Sequence, residues 1–555
     1  MRHRIAQAIQ QALEDARQAG RVEFQTLPAF TVERPPQKEF GDFSTNVALA
    51  LASGLHASPR RIAETLLPFF NLSDIADRVD VAGPGFINFH LKPDWLWDVG
   101  RRVLREGERY GCSDLGRGKK VLVEFVSADP NSPIHVGHGR CAAIGDVLAN
   151  LLAALGYEVK REFYVNDAPT STPILNLAHS VEAQYLRLLG RDVALPENGF
   201  RGQYVVDIAR EILSEQGDQL ATLAQEARTL RFMQLAKVKI LSRQRASLER
   251  FGVRFDSWFS EQDMHESGKV AEVVERLKAS GHTYNVDGAL WLRTTTFGDD
   301  QDRPLVRPGG TFSYFASDIA YHVTKFERGF DKVINIWGPD YQTYVARTKA
   351  ALQALGYDPE RLEIFLCQIV RLFSVGEFVR VSKYEGELTT LDELLDEVGK
   401  DAARFFYLIY SPSAPLDFDL ELVKEQSQKN PVYYVQYAYA RASSLLNEAA
   451  VRGVHPDLVG VNWSLLNSDA ERELLYRIFE LPEEIAAAVA RCEPHRLTHY
   501  AMELATAFHT FYATSRVLSD DVALSHARLA LTQAAQTTLR NALHLLGISA
   551  PNFQA

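Results

Sequence analysis

Residues 121–156 constrain this chain more tightly than any other stretch. A strand-like apolar run, Val121-Leu122-Val123-Glu124-Phe125-Val126, is followed shortly by Pro133-Ile134-His135-Val136-Gly137-His138-Gly139-Arg140. Apolar residues then recur at helical spacing (Ala142, Ile144, Val147, Leu148, Leu151, Leu152, Leu155) until Gly156 closes the segment. Two imidazoles therefore sit where a strand hands over to a helix. A helix N-terminus in that position points N–H groups and its dipole at an anion. Gly137 lets a flat base approach the backbone, and His135 and His138 can donate to phosphate oxygens as charge builds during displacement. That chemistry suits activation of a substrate with ATP. Two histidines around a glycine can also cap a buried turn, and the four-residue pattern alone does not separate these readings.

A second element lies about 245 residues downstream: Val379-Arg380-Val381-Ser382-Lys383. Alone it reads equally well as a solvated basic turn. A flexible loop carrying Lys383, with Ser382 beside it, can also neutralise a departing pyrophosphate. The pair H-V-G-H and R-V-S-K resembles the H-I-G-H and K-M-S-K-S motifs of class I aminoacyl-tRNA synthetases. In the second motif Arg380 stands for the first lysine and Val381 for the methionine.

Longer strings narrow the resemblance to the bacterial arginyl-tRNA synthetase family. They are Val123 to Arg140, Gly156 to Asp167, Tyr314 to His322 with Lys325 to Phe330, Leu391 to Phe406, and Asn430 to Arg441. Pro35-Pro36 and Gly41 to Asn46 resemble the family's extra N-terminal domain. The strings run in order along the whole chain. The resemblance implies that Glu124, Tyr314 and Asp318 hold the arginine side chain. Two carboxylates and a tyrosine are what a guanidinium requires, and Glu124 is otherwise costly inside an apolar strand. Ser127, Asp129 and Tyr341 would lie around the rest of the substrate, with Gly137, Ser382 and Lys383 around ATP. Read alone, Asp318 could equally be a carboxylate near a helix N-terminus.

The chain departs from the family pattern where the substrate would sit. Asp129 replaces the usual asparagine of S-A-N-P, and Asn166-Asp167-Ala168-Pro169-Thr170-Ser171 replaces N-D-A-G-N-Q. Trp337 to Tyr344 replaces W-G-A-D-H-H-G-Y, and Tyr384-Glu385-Gly386-Glu387 follows Lys383 where R-A-G-N is usual. These changes raise an alternative: a divergent synthetase paralogue activating another cationic amino acid, or using an acceptor other than tRNA. Retention of Glu124 and Asp318 argues for a long cationic ligand, and hence for arginine.

The 555 residues imply several domains, and 46% hydrophobic with 24% charged residues is a soluble globular composition. No run reaches the roughly 18 apolar residues of a membrane span, and residues 1–19 read as an amphipathic helix without signal-peptide character. The expected location is cytoplasmic. Four scattered cysteines (Cys112, Cys141, Cys367, Cys492) show no zinc spacing, so no structural zinc or other protein-held metal is expected. The net charge of −11 leaves RNA contact to local basic patches, of which Arg231 to Arg250 is one.

The fold expected is multidomain α/β. A small α+β tRNA-recognition domain would cover residues 1–110 and a Rossmann-like catalytic domain 111–424, with a helical insertion near 175–300. An α-helical anticodon-binding bundle would follow at 425–555, with Pro482, Pro494 and Pro551 marking breaks. Strands are expected at Val333 to Trp337 and over Ile364 to Val370. Tyr433, Gln436, Tyr437 and Arg441 crowd onto a few helical turns and suit unstacked anticodon bases. They also suit a core seam, since Tyr433, Tyr437 and Arg441 share one face. The resemblance implies arginine, MgATP and tRNA(Arg) as ligands of a monomer that activates arginine only with tRNA bound.

Overall fold

The computed structural model describes residues 1–168, 171–374, 377–379, 390–454 and 460–551. Two compact units emerge: residues 1–105 with 454–479 and 516–534, and residues 106–453 with 480–515 and 535–555. The helices after residue 430 are thus divided between the two.

In the first unit the helix Arg2–Gln18 buries Ile5, Ile9, Leu13 and Ala16, the face its periodicity defines. The strands Ala76–Ala82 and Phe86–Leu91 form the hairpin marked by Gly83-Pro84-Gly85, within a four-stranded sheet. Phe43, Trp95, Tyr476 and Phe479 form an aromatic cluster, Trp95 and Phe479 meeting edge-on with ring centroids 4.9 Å apart.

The second unit is built on a five-stranded parallel sheet. Its strands are β1 (Lys120–Glu124), β2 (Glu158–Val165), β3 (Ser257–Ser260), β4 (Lys332–Trp337) and β5 (Leu362–Leu366). Their order is β5-β4-β1-β2-β3, and every adjacent pair is parallel. The chain leaves β1 in one direction and returns beside it with β4. The carboxyl ends of these two strands are therefore the switch point where open α/β sheets bind ligands. Val121, Leu122 and Val123 are almost wholly buried, as a strand covered on both faces must be.

Helix α1 (Val136–Ala154) follows β1 and packs through Ala142, Ile144, Val147, Leu148 and Leu151. It approaches the sheet closely because Gly145 faces the Phe125 ring; a Cβ there would fall 2.2 Å from that ring. Phe125 is fully buried against Phe255, with centroids 4.5 Å apart, and cannot retreat. Overpacking of this kind costs about 1–3 kcal/mol, more than the ~1 kcal/mol an alanine gains over glycine in a helix. Gly145→Ala should therefore lower the thermal midpoint; a midpoint at or above wild type would show that the ring gives way.

Between β2 and β3 run the helices Thr172–Leu188 and Gln203–Gln216 and the long α2 (Gln225–Arg250). They share a core of Leu177, Val181, Tyr185, Ile208, Ile212, Phe232 and Ile240. Ser257–Ser260, inside the region expected as an insertion, is already the edge strand of the central sheet. Helices α3 (Glu261–Glu266) and Lys269–Ala279 follow, then a three-stranded antiparallel sheet over residues 283–306. Helix α4 (Tyr314–Glu327) leads into β4, and α5 (Gln342–Ala354) leads into β5.

Two expectations need correction. Ile364 to Val370 is not one strand: β5 ends at Leu366, and Val370–Ser374 joins a separate sheet after Cys367 to Ile369. Pro482 does not end a helix but lies inside Asp469–Arg491, since proline costs a helix one donor without forcing it to stop. The C-terminal helices of this unit include α6 (Pro431–Val451) and α7 (His495–Thr514). No helix among the described residues is long and apolar enough to cross a membrane.

Candidate active site

His135 is the N-cap of α1. Its Nδ1 accepts from the N–H groups of Gly137 (3.1 Å) and His138 (3.4 Å), and His138 Nδ1 accepts from the His135 N–H at 3.5 Å. The two imidazoles stack with centroids 3.6 Å apart. Acceptance at both Nδ1 atoms puts the proton of each neutral ring on Nε2. The capping and phosphate-donating readings of this motif are therefore compatible. A Cβ on Gly137 would meet the His135 ring at 3.0 Å, so the glycine also leaves room for that imidazole.

The arginine of this motif serves a different purpose. Arg140 is fully buried and donates to the carbonyls of Gln368 (3.0 Å), Ala414 (2.7 Å) and Ser411 (2.9 Å). Burial lowers its pKa. The cation ties α1 to the segment after β5, fixing the helix start.

Ser382 and Lys383, with Arg380, Val381 and Tyr384 to Glu387, lie outside the described residues, as do Pro169 and Thr170. The residue closing that stretch is placed. Thr390 pairs with His135 in an isolated bridge, and Leu391 N–H donates to Ile134 C=O at 2.8 Å. Thr390 also caps the helix Leu391–Val398 in a capping box with Glu393.

Beyond β1 the backbone takes an unusual course. Val126 has φ 71° and Ser127 φ 41°, and Ser127 N–H donates to Phe125 C=O at 3.0 Å. A β-branched residue at positive φ is strained by the order of 1–3 kcal/mol. This turn lets the Ser127 hydroxyl donate to Glu124 Oε1 at 3.0 Å while accepting from Tyr164 N–H at 3.2 Å. Asp129 accepts from Asn166 Nδ2 at 3.0 Å. The buried Gln244 of α2 donates to the carbonyls of Asp129 and Ser132, both at 2.9 Å, so the loop is held from the insertion.

Glu124 and Asp318 are electrostatic neighbours, yet their surroundings differ. Glu124 is nearly wholly buried and already paired, accepting from Lys325 Nζ at 2.5 Å as well as from Ser127. Among the described residues no ion pair or side-chain hydrogen bond engages the Asp318 carboxylate. Burial, then the charges of Glu261 and Glu124, push its pKa up to about 7 against the pull of Arg347 and Lys325. Glu261 opens α3, is itself buried and raised by that burial, and is hydrogen-bonded to the Tyr164 phenol. Glu261 and Tyr164 were not among the candidates. Glu261 follows a four-residue edge strand with no motif of its own, and Tyr164 lies in the Gly156 to Asp167 string with no role assigned there, so only the fold brings them to Asp318.

Tyr314 and Tyr341 are both more than half exposed. Tyr314 is the first residue of α4, one turn before Asp318, with the Arg307 guanidinium 5.4 Å from its ring. Tyr341 follows β4 and packs between Trp337 (5.9 Å) and Tyr344 (5.4 Å). Burial and then Asp129 and Asp318 raise its phenol to about 12. Each expected arginine-site residue thus falls at the ends of β1 and β4 or on α4.

Three family models cover this architecture. They are an arginyl-tRNA synthetase N-terminal domain (residues 3–91), a class I (R) tRNA synthetase catalytic domain (101–407) and a DALR anticodon-binding domain (435–553). An arginine–tRNA ligase of Heliobacterium modesticaldum is 47% identical over 99% of this chain and 98% of its own length. The chain belongs to the arginyl-tRNA synthetases. Among solved structures, a putative arginyl-tRNA synthetase of Campylobacter jejuni matches with TM-score 0.77 and 31% identity over 83% of this chain and all of that one. The Thermus thermophilus arginyl-tRNA synthetase matches with TM-score 0.77 and 25% identity over the full length of both. The departures at Asp129, Pro169 to Ser171, Tyr341 to Thr343 and Tyr384 to Glu387 fall inside the catalytic-domain match at residues 101–407.

In this synthetase the DALR match covers most of α6. Tyr433 and Tyr437 stack there with centroids 5.9 Å apart and planes 7° from parallel. Arg441 donates to the Tyr437 hydroxyl at 2.8 Å and lies 4.6 Å from the Tyr512 ring of α7. His509 Nδ1 accepts from Arg441 at 3.2 Å, and burial lowers its pKa. The half-buried stack is therefore both a seam between α6 and α7 and an aromatic–guanidinium face. Gln436 donates to Asp401 (3.2 Å) and to Ser549 C=O (3.1 Å), away from that stack. The basic stretch Arg231 to Arg250 is largely paired: Lys237 with Asp167, Lys239 with Glu211 and Glu215, Arg243 with Glu211, and Arg250 with Asp392. Arg245 lies over Trp258.

Proposed function

We propose that the crevice at the ends of β1 and β4 performs both steps of arginine–tRNA ligation, and that Asp318 selects the arginine. One observation carries this reading: a carboxylate raised to about 7 beside two further buried carboxylates. Such a pocket carries surplus negative charge that a guanidinium would neutralise. Glu124, Glu261 and the Tyr164 and Tyr314 phenols would complete its surround. Ser127, Asp129 and Tyr341 would face the amino end of the substrate.

In the first step an oxygen of the arginine carboxylate attacks the α-phosphorus of MgATP. The bond to the β-phosphate oxygen breaks, giving arginyl-adenylate and pyrophosphate. Nε2–H of His135 and of His138 would donate to the α-phosphate as its charge grows, with Gly137 against the adenine. Ser382 and Lys383 would pair with the departing pyrophosphate. In the second step a ribose hydroxyl of the terminal adenosine of tRNA(Arg) attacks the acyl carbon and AMP leaves. No side chain forms a covalent intermediate, so catalysis rests on positioning and charge. Tyr433, Tyr437 and Arg441 would receive anticodon bases, with Gln436 supporting α6. The protein would act as a cytoplasmic monomer.

The test is ATP–pyrophosphate exchange with each of the twenty amino acids, with and without total tRNA. Exchange with arginine alone is expected, and only when tRNA is present. Exchange with another cationic amino acid would defeat the reading.

A further inference from the structure

Beneath the pocket runs a chain of buried polar groups that the two-step reaction leaves without a role. Asp318, His322 and Lys325 occupy positions i, i+4 and i+7 of α4 and share one face. Asn335 of β4 is in register with Glu124 of β1. Lys325, Asn335 and His322 are all nearly or wholly inaccessible. Lys325 Nζ donates to Glu124 Oε2 (2.5 Å) and to Asn335 Oδ1 (2.9 Å). Asn335 Nδ2 meets His322 Nε2 at 2.8 Å, and His322 Nδ1 meets the Asp318 carbonyl at 2.7 Å.

These contacts admit one proton assignment. The carbonyl can only accept, so His322 Nδ1 carries the hydrogen and Nε2 accepts from the Asn335 amide. That orients the amide oxygen toward the ammonium. Burial and the Lys325 charge hold the His322 pKa well down, which suits this neutral tautomer. The Tyr321 ring lies 4.1 Å from Lys325 Nζ on another side. The Lys325 ammonium is therefore clamped at the switch point between two strands, and its linkage ends on the backbone of the arginine-selecting carboxylate.

We propose that Lys325 is a positioning residue for arginine recognition: fixed between Glu124 and Asn335, its ammonium sets the strength and pH range of arginine binding without touching the substrate. This rests on the reading of Asp318 as the arginine carboxylate. Asp318 is faced by Glu124 from β1, by Glu261 with His265 from α3, and by Tyr164 from β2. Tyr341 and Arg347 face it from beyond β4, and His322 and Lys325 from its own helix. Two of these, Glu261 and Glu124, are carboxylates that raise Asp318, and Arg347 and Lys325 are the two cations that oppose them. Arg347 stacks on Tyr344 at the surface (4.0 Å), whereas Lys325 is enclosed, so its field is poorly screened.

The test is the arginine dependence of ATP–pyrophosphate exchange, with tRNA present, between pH 6 and 9. Lys325→Met should raise the arginine KM about tenfold with kcat nearly retained, because the loss falls on ground-state binding. The acid limb of its kcat/KM profile should move to higher pH by about one unit. The double variant Glu124→Gln/Lys325→Met removes both charges; its acid limb should return toward wild type while KM stays raised. An unmoved limb, or loss of kcat and thermal stability together, would reduce Lys325 to a structural role and overturn the proposal. If Lys325→Met does not fold, the double variant is compared with Glu124→Gln alone, and an identical arginine KM and acid limb in the two overturns it instead. Asp318→Asn measured alongside separates the two ideas: a wild-type KM there would sink the arginine-pocket reading itself.

Discussion

His138→Ala should slow adenylate formation by about two to three orders of magnitude, the loss seen when one preorganised donor to a developing oxyanion is removed. The same change should leave the fold nearly intact. His138 is the third residue of α1, and its Nδ1 contributes one long hydrogen bond, 3.5 Å, to the His135 N–H. The shorter capping bonds come from His135, whose Nδ1 serves both Gly137 and His138 backbone groups. His135→Ala should therefore cost both rate and about 1 kcal/mol of stability through the lost cap, whereas His138→Ala should cost rate alone. The measurements are pyrophosphate exchange, tRNA binding and thermal unfolding on both variants. Equal loss of exchange and tRNA binding in His138→Ala would mean a folding defect, and unchanged exchange would remove His138 from the chemistry.

The dual use of these histidines shows what one sequence can and cannot display. The strand, the turn and α1 are legible because the apolar period changes from continuous to helical across Pro133 to Arg140. The Tyr433–Tyr437–Arg441 face is legible because all three lie on one helix at fixed spacing. Contacts across elements leave no such trace. Glu124 stands out as a carboxylate inside an apolar strand that requires a partner, and its sequence suggests a substrate. The fold supplies Lys325, 201 residues away, as well. Glu261 becomes a neighbour of Asp318 only through a four-residue edge strand too short to carry a pattern. The basic run of α2 illustrates the reverse: six cations from Arg231 to Arg250 suggest an RNA face, but Glu211, Glu215, Asp167 and Asp392 meet most of them. Charge along a helix is visible in a sequence, whereas charge balance between helices is not.

Asp318→Asn should lower kcat/KM for arginine by about a hundredfold or more, since it removes the charged partner of a desolvated guanidinium. It should leave ATP affinity near wild type. The pH behaviour is the sharper test. Burial and the Glu261 and Glu124 charges push Asp318 up to about 7 in the folded protein, from an ordinary 3.8. In the absence of substrate the folded state therefore holds a proton that the unfolded chain releases. The associated stability is fully present below about pH 3.8 and is lost as the pH rises through about 7. Three pKa units correspond to at most about 4 kcal/mol, less what solvent recovers at a partly exposed group. Relative to Asp318→Asn, the arginine-free wild type should lose unfolding free energy between about pH 4 and 7. Glu261, raised by its own burial, titrates in both proteins, so the difference reports Asp318 together with its coupling to Glu261. Arginine reverses the sign, because a guanidinium beside Asp318 favours the carboxylate. Below pH 7 binding must expel a proton, and kcat/KM for arginine should fall about tenfold per pH unit in the wild type. That limb should be absent in Asp318→Asn. Thermal unfolding with and without arginine, together with the two pH profiles, measures both halves of the linkage. A wild-type profile identical to that of Asp318→Asn would mean that the surplus charge of this pocket does not select the substrate.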